Sequence, residues 1–280
     1  MADSNRRIDS HHHLWDLSVR PQPWIGNLAV LDRTYGTVEL AEELAAAGVR
    51  ESVVMQSLCR EDETLELLAL AESTSFISGV VGWIDITGDV VDAVARLRSV
   101  PGGEHLVSIR HQVQFEQDPN WLSRPEAIRG LTALGRAGLA YDAVVRPEQL
   151  ESVLTAARRV AGLRIVVNHL GNPTLNPGPR PEWQTTITAL GSLPNVALKL
   201  TGLTNLAGKS WTVDNLRNAV EVSLKHFGTE RLMFGSDWPV CLLTADYAAV
   251  HSAAMELCAE MSDNERDNIF GLTAARWYAL

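Results

Sequence analysis

Arg164-Ile165-Val166-Val167-Asn168-His169 is a short run in which three consecutive β-branched apolar residues stop abruptly at two polar side chains. A strand with one face in water alternates apolar and polar residues, whereas this one does not, so it reads as a strand buried on both faces, as in a parallel sheet. Val53-Val54-Met55 has the same character. Working outward from these, eight strand-like segments are counted: Arg7–His13, Arg50–Ser57, Ile77–Asp85, Leu106–Gln114, Leu139–Arg146, Arg164–His169, Val196–Gly202 and Leu232–Trp238. Helical candidates with apolar residues three and four apart lie between them, at Val38–Ala47, Glu63–Glu72, Val90–Leu97, Pro125–Ala137, Pro147–Ala161, Trp183–Leu193 and Val213–His226. Pro125, Pro147 and Pro181 stand at first turns, and Gly48, Gly138 and Gly162 follow helix ends. Eight alternations imply an α/β protein, a (β/α)₈ TIM barrel forming a single domain over residues 1–280, with a doubly wound open sheet as the runner-up.

Composition narrows the class. The chain has 280 residues, 46% of them hydrophobic and 21% charged, which suits a large core. No apolar run approaches the roughly 20 residues of a spanning helix, so no membrane partner is expected. The opening residues Met1 to Arg7 are polar and lack a secretory apolar segment, and Cys59, Cys241 and Cys258 show no metal-type spacing. Together they imply a cytoplasmic location. A formal net charge of -10 argues against nucleic acid as a partner and leaves a small molecule.

In a barrel, polar residues at the C-terminal ends of strands stand at the mouth. The first segment, Ile8-Asp9-Ser10-His11-His12-His13-Leu14-Trp15-Asp16, ends in a histidine run whose period of two sends His11 and His13 to one side and His12 to the other. Gln56 ends the second strand and Asp85 the third, while Arg110, His111, Gln112 and Gln114 lie on the fourth. Arg146, Asn168-His169 and Ser236-Asp237-Trp238-Pro239 end the fifth, sixth and eighth. His11, His13 and His169 are a set of three neutral nitrogen ligands for one divalent cation of the zinc type, with Asp237 as fourth ligand or as general base. Without a metal, the imidazoles would donate to a developing oxyanion, Asp237 would deprotonate water, and Arg110 would hold a substrate oxygen. The sequence leaves both arrangements open. It carries no Gly-x-Ser-x-Gly elbow, phosphate loop or dinucleotide fingerprint, so no organic cofactor is expected.

Long connections follow three strands: Leu14 to Gly36, Gly171 to Pro181 and Thr204 to Thr212. Trp15, Trp24 and Tyr35 in the first either shape the mouth or pack on each other or on a second copy in a homo-oligomer. Trp24 and Trp238 are candidates to stack on a substrate ring, and Arg110, Gln56 and Arg146 to orient it. His105, His226 and His251 read as structural, and His111, out of phase with Arg110, as a packed imidazole. Lys199 is either a buried partner for an acid or a snorkelling side chain.

Several stretches carry a resemblance. Asp9 to Asp16, Ser108-Ile109-Arg110-His111, Tyr141-Asp142 with Val145 to Leu150, Asn168 to Pro173, Lys199 to Leu203 and Phe234 to Pro239 resemble, in order, the amidohydrolase superfamily. Within it they are similar to the amidohydrolase-related branch that holds L-fuconolactonase, L-rhamnonolactonase and other lactone hydrolases. The resemblance implies a barrel hydrolase with His11, His13, His169 and Asp237 at its reaction centre. The expected reaction is opening of a lactone ring, a sugar-acid lactone first. Hydrolysis of a carboxylated muconolactone or pyrone is an alternative, as is metal-dependent decarboxylation of an aromatic or muconate-type acid. Asn168 departs from the Asp usual in that motif and removes a charge next to His169 in sequence.

Overall fold

A computed structural model describes residues 6–280; Met1–Asn5, most of the polar leader, lie outside the described residues. Eight parallel strands form one sheet in sequential order, β1 (Ile8–His12), β2 (Glu51–Met55), β3 (Ile77–Gly82), β4 (Leu106–His111), β5 (Ala140–Ala143), β6 (Ile165–Val167), β7 (Val196–Leu200) and β8 (Leu232–Phe234). The ends meet: His12 bridges Trp238 in parallel, and the amides of His13 and Asp237 bond to the carbonyls of Trp238 and His11 at 2.6 and 2.8 Å. A sequential parallel sheet closed on itself is a (β/α)₈ barrel. Every strand starts within two residues of its sequence-predicted start, but most stop earlier than expected because the mouth residues leave the hydrogen-bonded ladder for 3₁₀ turns and loops.

The helices α1 (Thr37–Ala46), α2 (Glu61–Ser73), α3 (Val90–Arg98), α4 (Pro125–Arg136), α5 (Leu150–Arg159), α6 (Pro181–Gly191), α7 (Leu203–Ala207), α8 (Val213–Phe227) and α9 (Tyr247–Leu257) surround it. Each long helix presents one apolar stripe to the sheet. In α8, Leu216, Ala219, Val220, Ser223 and Phe227 are buried, the three-and-four spacing of a core-facing surface. Its start is set by a capping box between Thr212 and Asn215. Two short helices end the chain, α10 (Asp263–Asp267) and α11 (Thr273–Tyr278). Among the described residues no helix is long and apolar enough to cross a membrane.

Inside the barrel the side chains lie in layers. Ile8, Val53, Met55, Val81, Val166, Ala197 and Met233 form an apolar floor that α11 plugs from below with Ala274, Trp277 and Tyr278. Two residues further along three of the strands, Ala140 gives way to Asp142, Val166 to Asn168 and Ala197 to Lys199, and a buried polar layer results. Lys199 Nζ lies 3.0 Å from Asp142 and donates to the Ser10 carbonyl at 2.7 Å. Of its two sequence readings, the partner for an acid is therefore the one observed. Asp142 also accepts from Ser108 at 2.7 Å, Asn168 at 2.8 Å and the Tyr278 hydroxyl at 2.9 Å. Burial pulls the Lys199 ammonium down to about 8, against the opposing pull of Asp142.

Removing one partner of a buried pair leaves the other charge uncompensated. Lys199→Met is accordingly expected to lower stability by about 3–5 kcal/mol, read from denaturant unfolding curves.

Candidate active site

The position of the histidines depends on an irregularity in β1. Asp9 pairs with Ser52 of β2, yet His12 pairs with Val54, so three steps on one strand match two on the other. The extra residue reverses the inside–outside phase. Ile8 faces the floor inside and Asp9 turns outward, its carboxylate accepting from the Tyr247 hydroxyl of α9 at 3.2 Å. Beyond the bulge His11 and His13 face inward, and His12 points outward to the Ser52 hydroxyl at 2.9 Å. Asp9 holds the bulge by accepting from the His11 amide at 3.1 Å and the Ser236 amide at 2.9 Å.

His169 and Asp237 arrive by a different device. Both have left-handed backbone conformations, with φ of 52° and 61°. Non-glycine residues adopt that region at a cost, and such residues concentrate at functional sites. Two glycines make the room. A Cβ on Gly202, at φ 67°, would sit 2.5 Å from His169 Nδ1, and one on Gly235 would sit 2.5 Å from the His11 Cβ. Neither glycine was singled out from sequence for this, although Lys199-Leu200-Thr201-Gly202 and Phe234-Gly235 contain them.

The four side chains converge. Asp237 Oδ1 lies 3.4 Å from His11 Nε2 and 3.7 Å from His13 Nε2, and the His11 ring centre is 5.0 Å from that of His169. Ligand atoms of His11, His169 and Asp237 all lie within 4.8 Å of one another. His13 donates from Nδ1 to the Met55 carbonyl at 3.0 Å, which fixes its tautomer and turns the Nε2 lone pair to the centre. Both nitrogens of His11 and Nδ1 of His169 are buried and, among the described residues, have no hydrogen-bond partner. Buried polar atoms without partners are costly, and each of these two neutral imidazoles keeps one lone pair with which it could hold a cation. Neutral nitrogens and one carboxylate fit a single divalent ion of the zinc type. The imidazoles suit that role because burial holds His11, His13 and His169 neutral, His169 down to about 3. Burial also pushes the Asp237 carboxyl up to about 7, against Arg110.

Above this centre a cavity of about 130 Å³ opens at the barrel mouth. Its wall includes Trp24, Ser57, Gln112, Gln114, Phe115 and Arg110, with His13, His169 and Asp237 at the base. Of the residues expected from sequence to meet a substrate, Arg110 and Trp24 are brought here. Gln56 is not in the wall; it is buried behind Arg110, accepting from that guanidinium at 3.1 Å and donating to its carbonyl at 2.9 Å. Trp238 is buried against Tyr35, with ring centres 5.2 Å apart, because the bridge to His12 turns it into the loop packing. Arg146 also lies outside the wall, its guanidinium on the carbonyls of Gln114 and Glu116 and the carboxylate of Glu148. His111 stacks on Trp121 at 4.3 Å and accepts from the Trp83 indole at 3.1 Å. Asn168 does not reach the His169 ring: its amide spans Asp142 and Arg110, the latter at 3.4 Å. An Asp there would set a second carboxylate within hydrogen-bond distance of Asp142, which explains the amide.

Wall residues that sequence reasoning did not select are Ser57, Phe115, Val144 and Val240, all in turns or loops past strand ends, where no periodicity marks a side chain's direction. Trp24 is held by the first long loop. Its indole donates to Gln22 at 2.8 Å and packs edge-on against Trp15, which exchanges two backbone bonds with Tyr35.

With this geometry in view, comparison with known proteins is direct. The profile of the amidohydrolase family matches residues 8–280, and the chain belongs to that family. It is 34% identical over 279 residues to an L-fucono-1,5-lactonase of Burkholderia ambifaria, covering 98% of this chain and 96% of that one. A second L-fucono-1,5-lactonase, of Burkholderia multivorans, is 36% identical over 289 residues with the same coverage. A crystal structure of an amidohydrolase from Burkholderia multivorans with bound zinc superposes with a TM-score of 0.92 at 35% identity, covering 98% of this chain and 99% of that one.

Gly202→Ala tests the packing under His169. The added methyl has to displace the imidazole, and displaced support around a metal ligand weakens metal binding by roughly 10–100-fold. The expected result is that loss in a zinc titration of the variant, with the circular dichroism spectrum unchanged.

Proposed function

We propose that this protein hydrolyses the ring ester of a sugar-acid lactone, with Asp237 as general base and His11, His13, His169 and Asp237 as the seat of one divalent ion, zinc by its donor set. The observation that carries the reading is the convergence of three neutral imidazoles, those of His11 and His169 with partnerless nitrogens, and one carboxylate at the barrel mouth. Its likeness to two L-fucono-1,5-lactonases supports a cyclic ester as the substrate. Such an ion supplies Lewis acidity at an ester carbonyl and acidifies water.

The residues divide the remaining work. Asp237 accepts a proton from water as the water oxygen attacks the carbonyl carbon, and returns it to the ring oxygen as the C–O bond breaks, giving the open hydroxy acid. Arg110 keeps two N–H groups uncommitted: three of its four terminal N–H groups go to Gln56 and Asn168, while the buried Nε has no partner. Arg110 is also the single Arg or Lys among the described residues of the wall. That single cation favours a neutral polyhydroxylated lactone over a carboxylated pyrone or muconolactone. Gln114 is the hydroxyl partner, Ser57 and Gln112 being committed to Glu63 and to the Ser57 carbonyl, and Trp24 and Phe115 are the surfaces for the ring's C–H face. The three unpaired cysteines support a cytoplasmic home.

A pH-indicator assay of purified protein against neutral sugar lactones, carboxylated lactones and aromatic acids tests this. Acid release from neutral lactones, lost on chelation and restored by zinc, is expected, with Asp237→Asn slower by roughly 10²–10⁴-fold. Release of CO₂ from an aromatic acid, or an undiminished rate in Asp237→Asn, would overturn it.

A further inference from the structure

The segment after β4 carries three wall residues, Gln112, Gln114 and Phe115, and is itself gripped from outside the cavity. Arg146 donates through one terminal nitrogen to the Gln114 carbonyl and through the other to the Glu116 carbonyl at 3.2 Å. Gln149 donates to the Val113 carbonyl at 2.8 Å and again to Glu116 at 3.2 Å, while its side-chain oxygen accepts from the Arg146 amide at 2.8 Å. On the other flank His111 Nε2 bonds the Glu116 carboxylate at 2.9 Å, its ring fixed between Trp83 and Trp121. The carbonyls of Val113, Gln114 and Glu116 are thus taken up by the β5–α5 connection. Yet Phe115, in the middle of this short turn, is 68% exposed. A large aromatic left in water on a backbone held this firmly is a preformed contact surface rather than a core residue.

We propose that Arg146 is a positioning residue: with Gln149 and His111 it clasps residues 112–116 so that Gln114 and Phe115 meet the substrate ring in a ready-made geometry. The proposal rests on the lactonase reading above for its substrate, but not for the clasp itself. Arg146 touches neither the cavity nor the metal-type centre, so its removal acts on binding and leaves the chemical step alone. Fixing a loop in its bound conformation before the ligand arrives removes an ordering cost that would otherwise weaken binding. An interaction shared equally by bound substrate and transition state appears in KM and not in kcat.

The experiment is a double-mutant cycle with Arg146→Met and Phe115→Ala, assayed with the best neutral lactone. Each single change is expected to raise KM roughly five- to twentyfold, the size of one or two lost net hydrogen bonds or a lost ring contact, with kcat within about twofold. The double variant is expected to be little worse than the poorer single one, because Arg146 acts through the loop that carries Phe115. Additive effects, an unchanged KM, or a fall in kcat at constant KM would each overturn the clasp. If Arg146→Met fails to fold, Arg146→Lys keeps the stem and charge, loses the paired donors, and is read in the same way. Amide hydrogen exchange provides a readout without substrate: residues 112–116 should exchange faster in the variant while β1 and β6 stay as in wild type. Should the wild type open no lactone, the lactonase reading fails by itself, and unchanged exchange in 112–116 is then the result that overturns the clasp.

Discussion

Closing an eight-stranded sheet requires the first and last strands to satisfy each other's backbone groups, and here that seam and the reaction centre are the same place. Asp9 is the constraint. Its buried carboxylate accepts from the amides of His11 and Ser236, one on each side of the seam, and from Tyr247 in the helix layer. A carboxylate without such donors would not be tolerated at full burial, so bulge, seam and helix α9 are locked together. The consequence is positional: His11 and His13 turn inward and Asp237 is presented opposite them. Unusual backbone at His169 and Asp237 is held in place by the same closely packed surroundings, with Gly202 and Gly235 leaving the space.

Beneath that centre the barrel is neither a pore nor a purely apolar core. The layer of Lys199, Asp142, Asn168 and Arg110 interposes charge between the apolar floor and the mouth, and Tyr278 of the last helix reaches it from below. In a low dielectric such a network holds only if nearly every donor and acceptor is matched. Arg110 belongs to both levels, its terminal nitrogens bonded within the layer and its side chain in the cavity wall. The same layer accounts for Asn168: the residue there answers to Asp142, not to the imidazole next to it in sequence.

Much of this was legible from residues alone. Continuous apolar runs of β-branched residues such as Ile165-Val166-Val167 read as strands buried on both faces, and the alternation of eight strand-like segments with amphipathic segments fits a closed barrel. The polar residues that terminate those runs must stand at the mouth, which is why His11, His13, His169 and Asp237 could be picked without coordinates. Legibility failed where direction is set by neighbours distant in sequence. Arg146 and Trp238 have the right chemistry for a ligand, but Arg146 is drawn to the carbonyls of the segment after β4 and Trp238 to Tyr35. Gln56 is committed to Arg110. Phe115 and Ser57 sit in turns that no periodicity describes, and the plugging role of Trp277 and Tyr278 depends on where the chain's last helix docks.

The sequence by itself therefore determined the strand count, the parallel arrangement, and the chemical identity of the groups at the mouth, because those follow from local patterns of burial and from the period of a strand. Tertiary structure alone decided the phase of β1, since a one-residue bulge inverts every side chain beyond it, and the division of polar residues between cavity and scaffold. The physical reason is the same in each case. A hydrogen-bonding group faces a ligand only if the fold leaves it without a nearer partner, and the nearer partners are brought by other strands.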